Sequence, residues 1–266
     1  MAVDLQDLLA DLSAETGDVA GLLEPLSPAD YERPTPAAGW AVRDQVSHLA
    51  YFDETATLAA VDPDRFRRDA AALMERGTDF ADVLAGDFRS MAADDLLPWF
   101  QRARRELLST YRTMDARDRV PWYGPDMSAA SCITARLMET WAHGQDIADT
   151  FDIERKPTAR LRHIADLGVR TMDFSFALND RPVPTQRVGV TLRAPDGDTW
   201  TWSTGSEEHV EGSALDFCLV VTQRRPLAQT DLEVTGALAR EWMSVAQAFA
   251  GPPGPGRSTA DADTTV

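Results

Sequence analysis

A chain of 266 residues exceeds the usual size of one domain, so one large or two modest domains are expected, with enough length to bury a core unaided by staples. Its 43 acidic against 26 basic residues give a formal charge of -17, which argues against nucleic acid or an anionic membrane surface as a partner. Only Cys132 and Cys218 are present, too few and too far apart for a disulfide framework or a thiolate zinc cluster, so both are expected as buried free thiols.

The stretch "MAVDLQDLLADL" has no basic region followed by an apolar run. No apolar stretch reaches the roughly 18 to 20 residues of a membrane span, so a cytoplasmic protein is expected. Lys156 is the one lysine, and arginine in lysine's place, with much Ala, Asp and Val, points to a high-GC coding genome.

Residues 3–24 repeat leucines at helical spacing, and the prolines of "SPADYERPTPAAG" then end the pattern in a long loop. From Trp40 to about Ala60, Val42, Val46, Leu49, Phe52 and Ala56 share one face, which predicts a second helix. Residues 63–93 are charged and helix-prone, and 94–115 form another amphipathic helix in which Pro98 fits the first turn. "RVPWYGPDM" reads as a loop, Ser128 as the N-cap of a helix reaching about Phe151, and residues 158–178 as one more helix. After Asn179 the texture changes, because "RVGVTLRAPDGDTWTWST" has two alternating runs around the turn signal "PDGD", a β-hairpin. "GSALDFCLVVTQRR" and "ALAREWMSVAQAFAG" read as helices, with a strand in "TDLEVTG" between them. The elements predict an α plus α+β chain: a helical bundle over residues 1–180, a small α+β domain over 181–250, and a tail over 251–266 too poor in apolar residues to order itself.

Glu139 and His143 lie four positions apart in "METWAHGQD" and therefore project from one face of a helix, with Asp146 on the same flank. Taken alone, the pair reads first as an ordinary solvated helical pair. His48, on the edge of the second helix's apolar stripe beside Phe52, can point into a seam between helices and join them, as ligands do in carboxylate-bridged bundle sites. One carboxylate and two imidazoles are a recognised set for zinc with an open position or for non-haem iron. His163 and His209 have no such company and read as structural or exposed. Trp40 and Trp141 fit either a pocket wall or core packing.

Two segments carry a specific resemblance: "TPAAGWAVRDQVSHLAYFD" (35–53) and "METWAHGQDIAD" (138–149). They resemble the ligand signatures of the DinB-like four-helix metalloproteins, in particular the actinobacterial mycothiol-dependent maleylpyruvate isomerases. The resemblance implies a metal held by His48, Glu139 and His143, zinc or another divalent first-row metal, in a DinB-like four-helix bundle. It also implies a C-terminal domain similar to sterol-carrier proteins with an arginine important for activity near a helix end. "FCLVVTQRRP" occupies that place, so Arg224, or its neighbour Arg225, is the candidate, against a plain helix C-terminal pair.

The implied partners are a small-molecule thiol, mycothiol or a relative, and a small electrophilic substrate. The implied chemistry is thiol transfer or cis–trans isomerisation, in which Arg224 holds a substrate carboxylate and Asp146 orients His143 or a neighbouring group. Two other readings stand beside it: a metal-dependent hydrolase or cyclase that activates water or a carbonyl, and a non-catalytic protein that holds an apolar ligand. A monomer and a dimer fit equally.

Overall fold

Helix α1 (Leu5–Leu23) begins where the Asp4 side chain accepts the N–H of Gln6 at 2.7 Å, satisfying one of the donors a helix start leaves open. The computed structural model containing it describes residues 4–77 and 80–251. A proline-rich loop follows and is pinned at its mouth, where Thr35 N–H donates to Trp40 C=O and Val42 N–H to Arg33 C=O. It delivers the chain into α2 (Val42–Val61), whose predicted face is buried throughout: Val42, Val46, Leu49, Phe52 and Ala56 are at most 6% exposed.

Helices α3 (Pro63–Met74), α4 (Phe80–Phe88) and α5 (Ala93–Tyr111) come next. Because α5 begins at Ala93, Pro98 falls in its second turn and not its first, and the carbonyl of Asp94 loses its usual i+4 donor. The loop before the next helix carries a minimal antiparallel pair, β1 (Arg119–Val120) with β2 (Met127–Ser128), too short for an alternating pattern to announce. Ser128 then caps α6 (Ala129–Thr150) by accepting Ser131 N–H at 3.1 Å, as its sequence position predicts.

Helices α1, α2, α5 and α6 form the bundle, α2 against α5 and α6, and α1 against α6 and α5. Val19, Leu23, Val46, Leu49, Phe100 and Ile147 fill its centre. At Gly144 a Cβ would lie 2.7 Å from Val19 Cγ2, so the missing side chain is what lets α1 approach α6 there. Within this apolar interior sits a charged knot. Asp53 of α2 accepts from Arg104 of α5 at 2.7 Å and from Arg136 of α6 at 3.0 Å. Arg104 also donates to Thr140 Oγ1 at 2.9 Å and to Thr16 on α1. Asp53, Arg104 and Arg136 are no more than 3% exposed.

The chain divides into two compact units, with the boundary between Arg155 and Lys156. In the second unit, α7 (Leu161–Arg170) and α8 (Met172–Leu178) precede β3 (Gly189–Arg193) and β4 (Thr199–Trp202), the expected hairpin. Its turn places Gly197 at φ +92°, a left-handed conformation that glycine adopts without strain. Strand β5 (His209–Ser213) pairs in parallel with β3, and α9 (Ala214–Val221), β6 (Glu233–Thr235) and α10 (Ala237–Val245) complete the unit, with strand order β4-β3-β5-β6. Val190, Leu192, Trp200 and Val210 are buried along the sheet.

Two sequence expectations change here. Residues 158–178, expected as one helix of the bundle, form two helices, and α7 packs on α9 while α8 packs on α10. The apolar stripe Leu161, Ile164 and Ala165 is amphipathic in either setting, so periodicity alone does not say which core it enters. "HVEGS", whose first half has only one apolar residue, is strand β5, so the helix read from Gly212 starts at Ala214. Of the tail expected over 251–266, all but Gly251 lies outside the described residues. Both cysteines are buried and free. No helix among the described residues is long and apolar enough to cross a membrane.

Replacing Asp53 by Ala leaves two buried guanidinium groups without their shared carboxylate. The N-terminal unit is expected to lose about 3–5 kcal/mol, read as a lowered urea midpoint by circular dichroism.

Candidate metal centre

The packing of α2 on α6 brings His48 onto the turn that carries Glu139 and His143. One ligand-capable atom from each residue falls within 4.8 Å of the others, so the three residues singled out in the sequence meet in space. Glu139 Oε2 lies 2.9 Å from His143 Nε2 and 3.4 Å from His48 Nε2. The side chains of His48, Glu139 and His143 are 13%, 20% and 9% exposed, a site recessed from solvent but reachable.

Aromatic rings frame the imidazoles. The Trp40 indole stacks on His143 with centroids 5.8 Å apart and planes at 14°, and tilts against His48 at 5.4 Å. Phe52 lies 4.6 Å from His48 on the other side. Trp40 is itself held by its indole N–H, which donates to Asp82 at 2.6 Å.

Burial pushes the His48 imidazole down from 6.5 to about 4, and the neighbouring His143 adds to the effect. Its neutral, lone-pair form therefore prevails at physiological pH. For Glu139 burial pushes upward, but the interactions with the His143 and His48 imidazoles outweigh it and hold the carboxyl well below its ordinary range. An ionised carboxylate beside imidazole nitrogens presents a negatively charged donor set. His143 Nδ1 is in contact with Gln45 Oε1 and Nε2 with Glu139 Oε2, both acceptors, and a neutral ring has one hydrogen for the two. With that hydrogen on Nδ1, the Nε2 lone pair faces Glu139 and a cation between them would take the place of the missing hydrogen. Donors converging with so few hydrogens between them fit a divalent first-row cation, and three protein ligands leave a coordination position for a small molecule.

A four-helix bundle with two imidazoles and one carboxylate between two of its helices defines a class of bundle proteins with a candidate metal centre. The chain belongs, more narrowly, to the mycothiol maleylpyruvate isomerase family: the model of that family's N-terminal domain matches residues 12–148, a span that includes all three candidate ligands. An uncharacterized protein of Mycobacterium tuberculosis strain H37Rv, and one of strain CDC 1551, are each 42% identical over 250 residues, covering 94% of this chain and 97% of the relative. Among solved structures, the chain is similar to a mycothiol-dependent maleylpyruvate isomerase, with a TM-score of 0.57 and 15% identity over 84% of this chain and 90% of that one. A histidine-to-alanine variant of that isomerase matches with the same values. These two likenesses bear on the fold.

The remaining sequence candidates are placed as follows. Asp146 is buried on α6, yet both ring nitrogens of His143 are engaged by Gln45 and Glu139. Arg224 and Arg225 stand in the turn after α9, where both backbone N–H groups donate to Leu219 C=O and the Arg224 guanidinium donates to Thr222 C=O at 2.6 Å. Trp40 joins the site, whereas Trp141 packs under the guanidinium of Arg155. His163 and His209 belong to the second unit and to no ligand group of this kind among the described residues. Sequence reading passed over Gln45, whose signal is modest: an amide three residues before His48 on a helix face that is otherwise buried.

In metal-free protein the His48 imidazole is expected to stay neutral down to about pH 4, seen by NMR titration of its ring resonances. An unfolded chain takes up that proton near 6.5. Between those values the native state binds fewer protons, so stability is unaffected above pH 6.5 and falls as the pH drops from 6.5 toward 4. Glu139, depressed in the fold, acts in the same direction once the pH falls below its ordinary range.

Proposed function

We propose that this chain is a metal-dependent enzyme that uses a low-molecular-weight thiol of the mycothiol type to transform a small electrophilic, carboxylate-bearing substrate, by cis–trans isomerisation or by thiol transfer. The observation that carries the reading is the convergence of His48, Glu139 and His143 within a bundle whose family model is named for a mycothiol-dependent isomerase.

His48 and His143 would hold the metal through Nε2 and Glu139 through Oε2. When bound, such a cation supplies Lewis acidity that lowers the pKa of a thiol entering the site. The protein's own groups do the rest. Glu139, kept ionised by its imidazole neighbours, offsets cationic charge. Trp40 and Phe52 keep bulk water from the rings of His48 and His143, where electrostatic interactions are stronger. The thiol's sulfur would attack the electrophilic carbon of an activated alkene while the π electrons move to the conjugated carbonyl. Rotation about the resulting single bond and departure of the sulfur as thiolate restore the alkene in the other geometry, and the thiolate regains from solvent the proton it lost on entering. If the carbanion is protonated instead, a thioether conjugate results.

Arg224 is proposed for the substrate carboxylate, a role suited to a guanidinium fork, and Asp146 for support of the metal-bearing turn of α6.

Elemental mass spectrometry of the purified chain is expected to find about one divalent metal per chain, retained after dialysis and lost in Glu139→Gln and His48→Ala. Turnover of maleylpyruvate or a related unsaturated acid should require added mycothiol and fall by at least about 100-fold in Arg224→Ala, with metal content unchanged. A wild type that binds no metal after reconstitution, or one that turns over without thiol, would overturn the reading.

A further inference from the structure

His143 is held by more than Glu139, and the partner on its far side is itself held. Gln45 is fully buried, and its side-chain N–H donates to Thr35 Oγ1 at 2.8 Å. The Thr35 hydroxyl has one hydrogen, and it goes to Trp40 C=O at 2.9 Å. Thr35 can therefore only accept from Gln45, so the Gln45 atom facing it must be the amide nitrogen. The Gln45 oxygen is thereby turned toward His143 Nδ1, with which it is in contact.

We infer that Gln45 is a positioning residue for the candidate metal centre: a relay from Trp40 C=O through Thr35 and Gln45 fixes the Nδ1–H tautomer of His143 and so directs the Nε2 lone pair at the site shared with Glu139 and His48.

Three features support the assignment. Amide orientation is ambiguous where both partners can donate or accept, but here the Thr35 hydroxyl, whose hydrogen goes to Trp40 C=O, sets the Gln45 amide with its nitrogen toward Thr35 and its oxygen toward His143. The residue at the start of the relay is also the one whose indole stacks on His143, so the loop of residues 33–41 sets both the tilt of the ring and the location of its proton. Finally, imidazole ligands depend on the hydrogen bond at the nitrogen that does not face the metal, and losing that partner typically costs ~10–100-fold in metal affinity. A backbone carbonyl or a carboxylate usually serves there. Here a neutral amide does, held by a hydroxyl.

The inference rests on the metal-site reading for its consequence, but not for its test. In metal-free protein at pH 8.5, long-range proton–nitrogen correlation spectra should show His143 as the Nδ1–H tautomer in the wild type. In Gln45→Leu, with no acceptor at Nδ1, the proton should move to Nε2 and donate to Glu139. Gln45→Glu, which restores an acceptor, should return it to Nδ1. Cobalt(II) titrations followed by visible absorption should show affinity lowered about 10–100-fold in Q45L and within a few-fold of wild type in Q45E. Should Q45L fail to fold, Thr35→Val, which removes the group that orients the amide, should give a mixed tautomer population. An unchanged Nδ1–H tautomer in the folded Q45L or T35V variant would overturn the assignment. A wild type that shows the tautomer yet binds no cobalt would overturn the metal reading and leave the role of Gln45 decided by the spectra.

Discussion

The N-terminal bundle is organised around one buried carboxylate. Asp53 accepts from arginines on two other helices, and one of those arginines reaches threonines on α6 and α1, so a single side chain ties together all four helices of the bundle. Such a knot is a weak source of net stability, since its desolvation largely cancels its attraction. What it supplies is registration. Apolar packing tolerates a helix sliding by part of a turn, whereas a guanidinium that misses its carboxylate is left charged and unpaired in the interior. Asp53 stands five residues beyond His48 on α2, and Arg136 stands three residues before Glu139 on α6. The constraint that registers α2 against α6 therefore lies about one turn from the ligands those helices carry.

Above that knot the site is electrostatically one-sided. Seclusion keeps His48 neutral, while Glu139 is kept ionised against its own burial by the neighbouring imidazoles, so the cavity holds lone pairs and a negative charge with few hydrogens to pair them. The rings of Trp40 and Phe52 preserve that condition by limiting solvent around the imidazoles. An arrangement of this kind is unfavourable for the protein alone and would be favourable for a cation that entered it, unlike an ordinary solvated helical Glu–His pair.

Much of this was legible in the sequence because it is periodic or local. The face of α2 from Val42 to Ala56, the Ser128 cap and the four-residue spacing of Glu139 and His143 all follow from helix geometry. The juxtaposition of His48 with that pair is not local; it was reachable through the family resemblance of the two segments around them. What stayed hidden depends on tertiary context. Leu161, Ile164 and Ala165 make the same stripe whichever core they enter, so the boundary expected near residue 180 lies at Arg155 in the fold. "HVEGS" joins the sheet because β3 offers it a parallel edge, not because its own residues alternate strongly. Gln45 looks like any polar residue until Thr35 and His143 are seen on either side of it.

The separation of the ligands along the chain has a kinetic side. In small zinc modules the ligands lie within a few dozen residues, so the ion can gather an otherwise unfolded segment and its removal undoes the fold. Here one ligand belongs to α2 and two to α6, with α3, α4 and α5 synthesised between them, and closing so long a loop is entropically costly until helices and apolar core have already drawn its ends together. A cation bound there would thus be a late arrival in the folding sequence. It would be recruited by a bundle that other forces have assembled, and its departure would leave behind a standing scaffold able to take it up again.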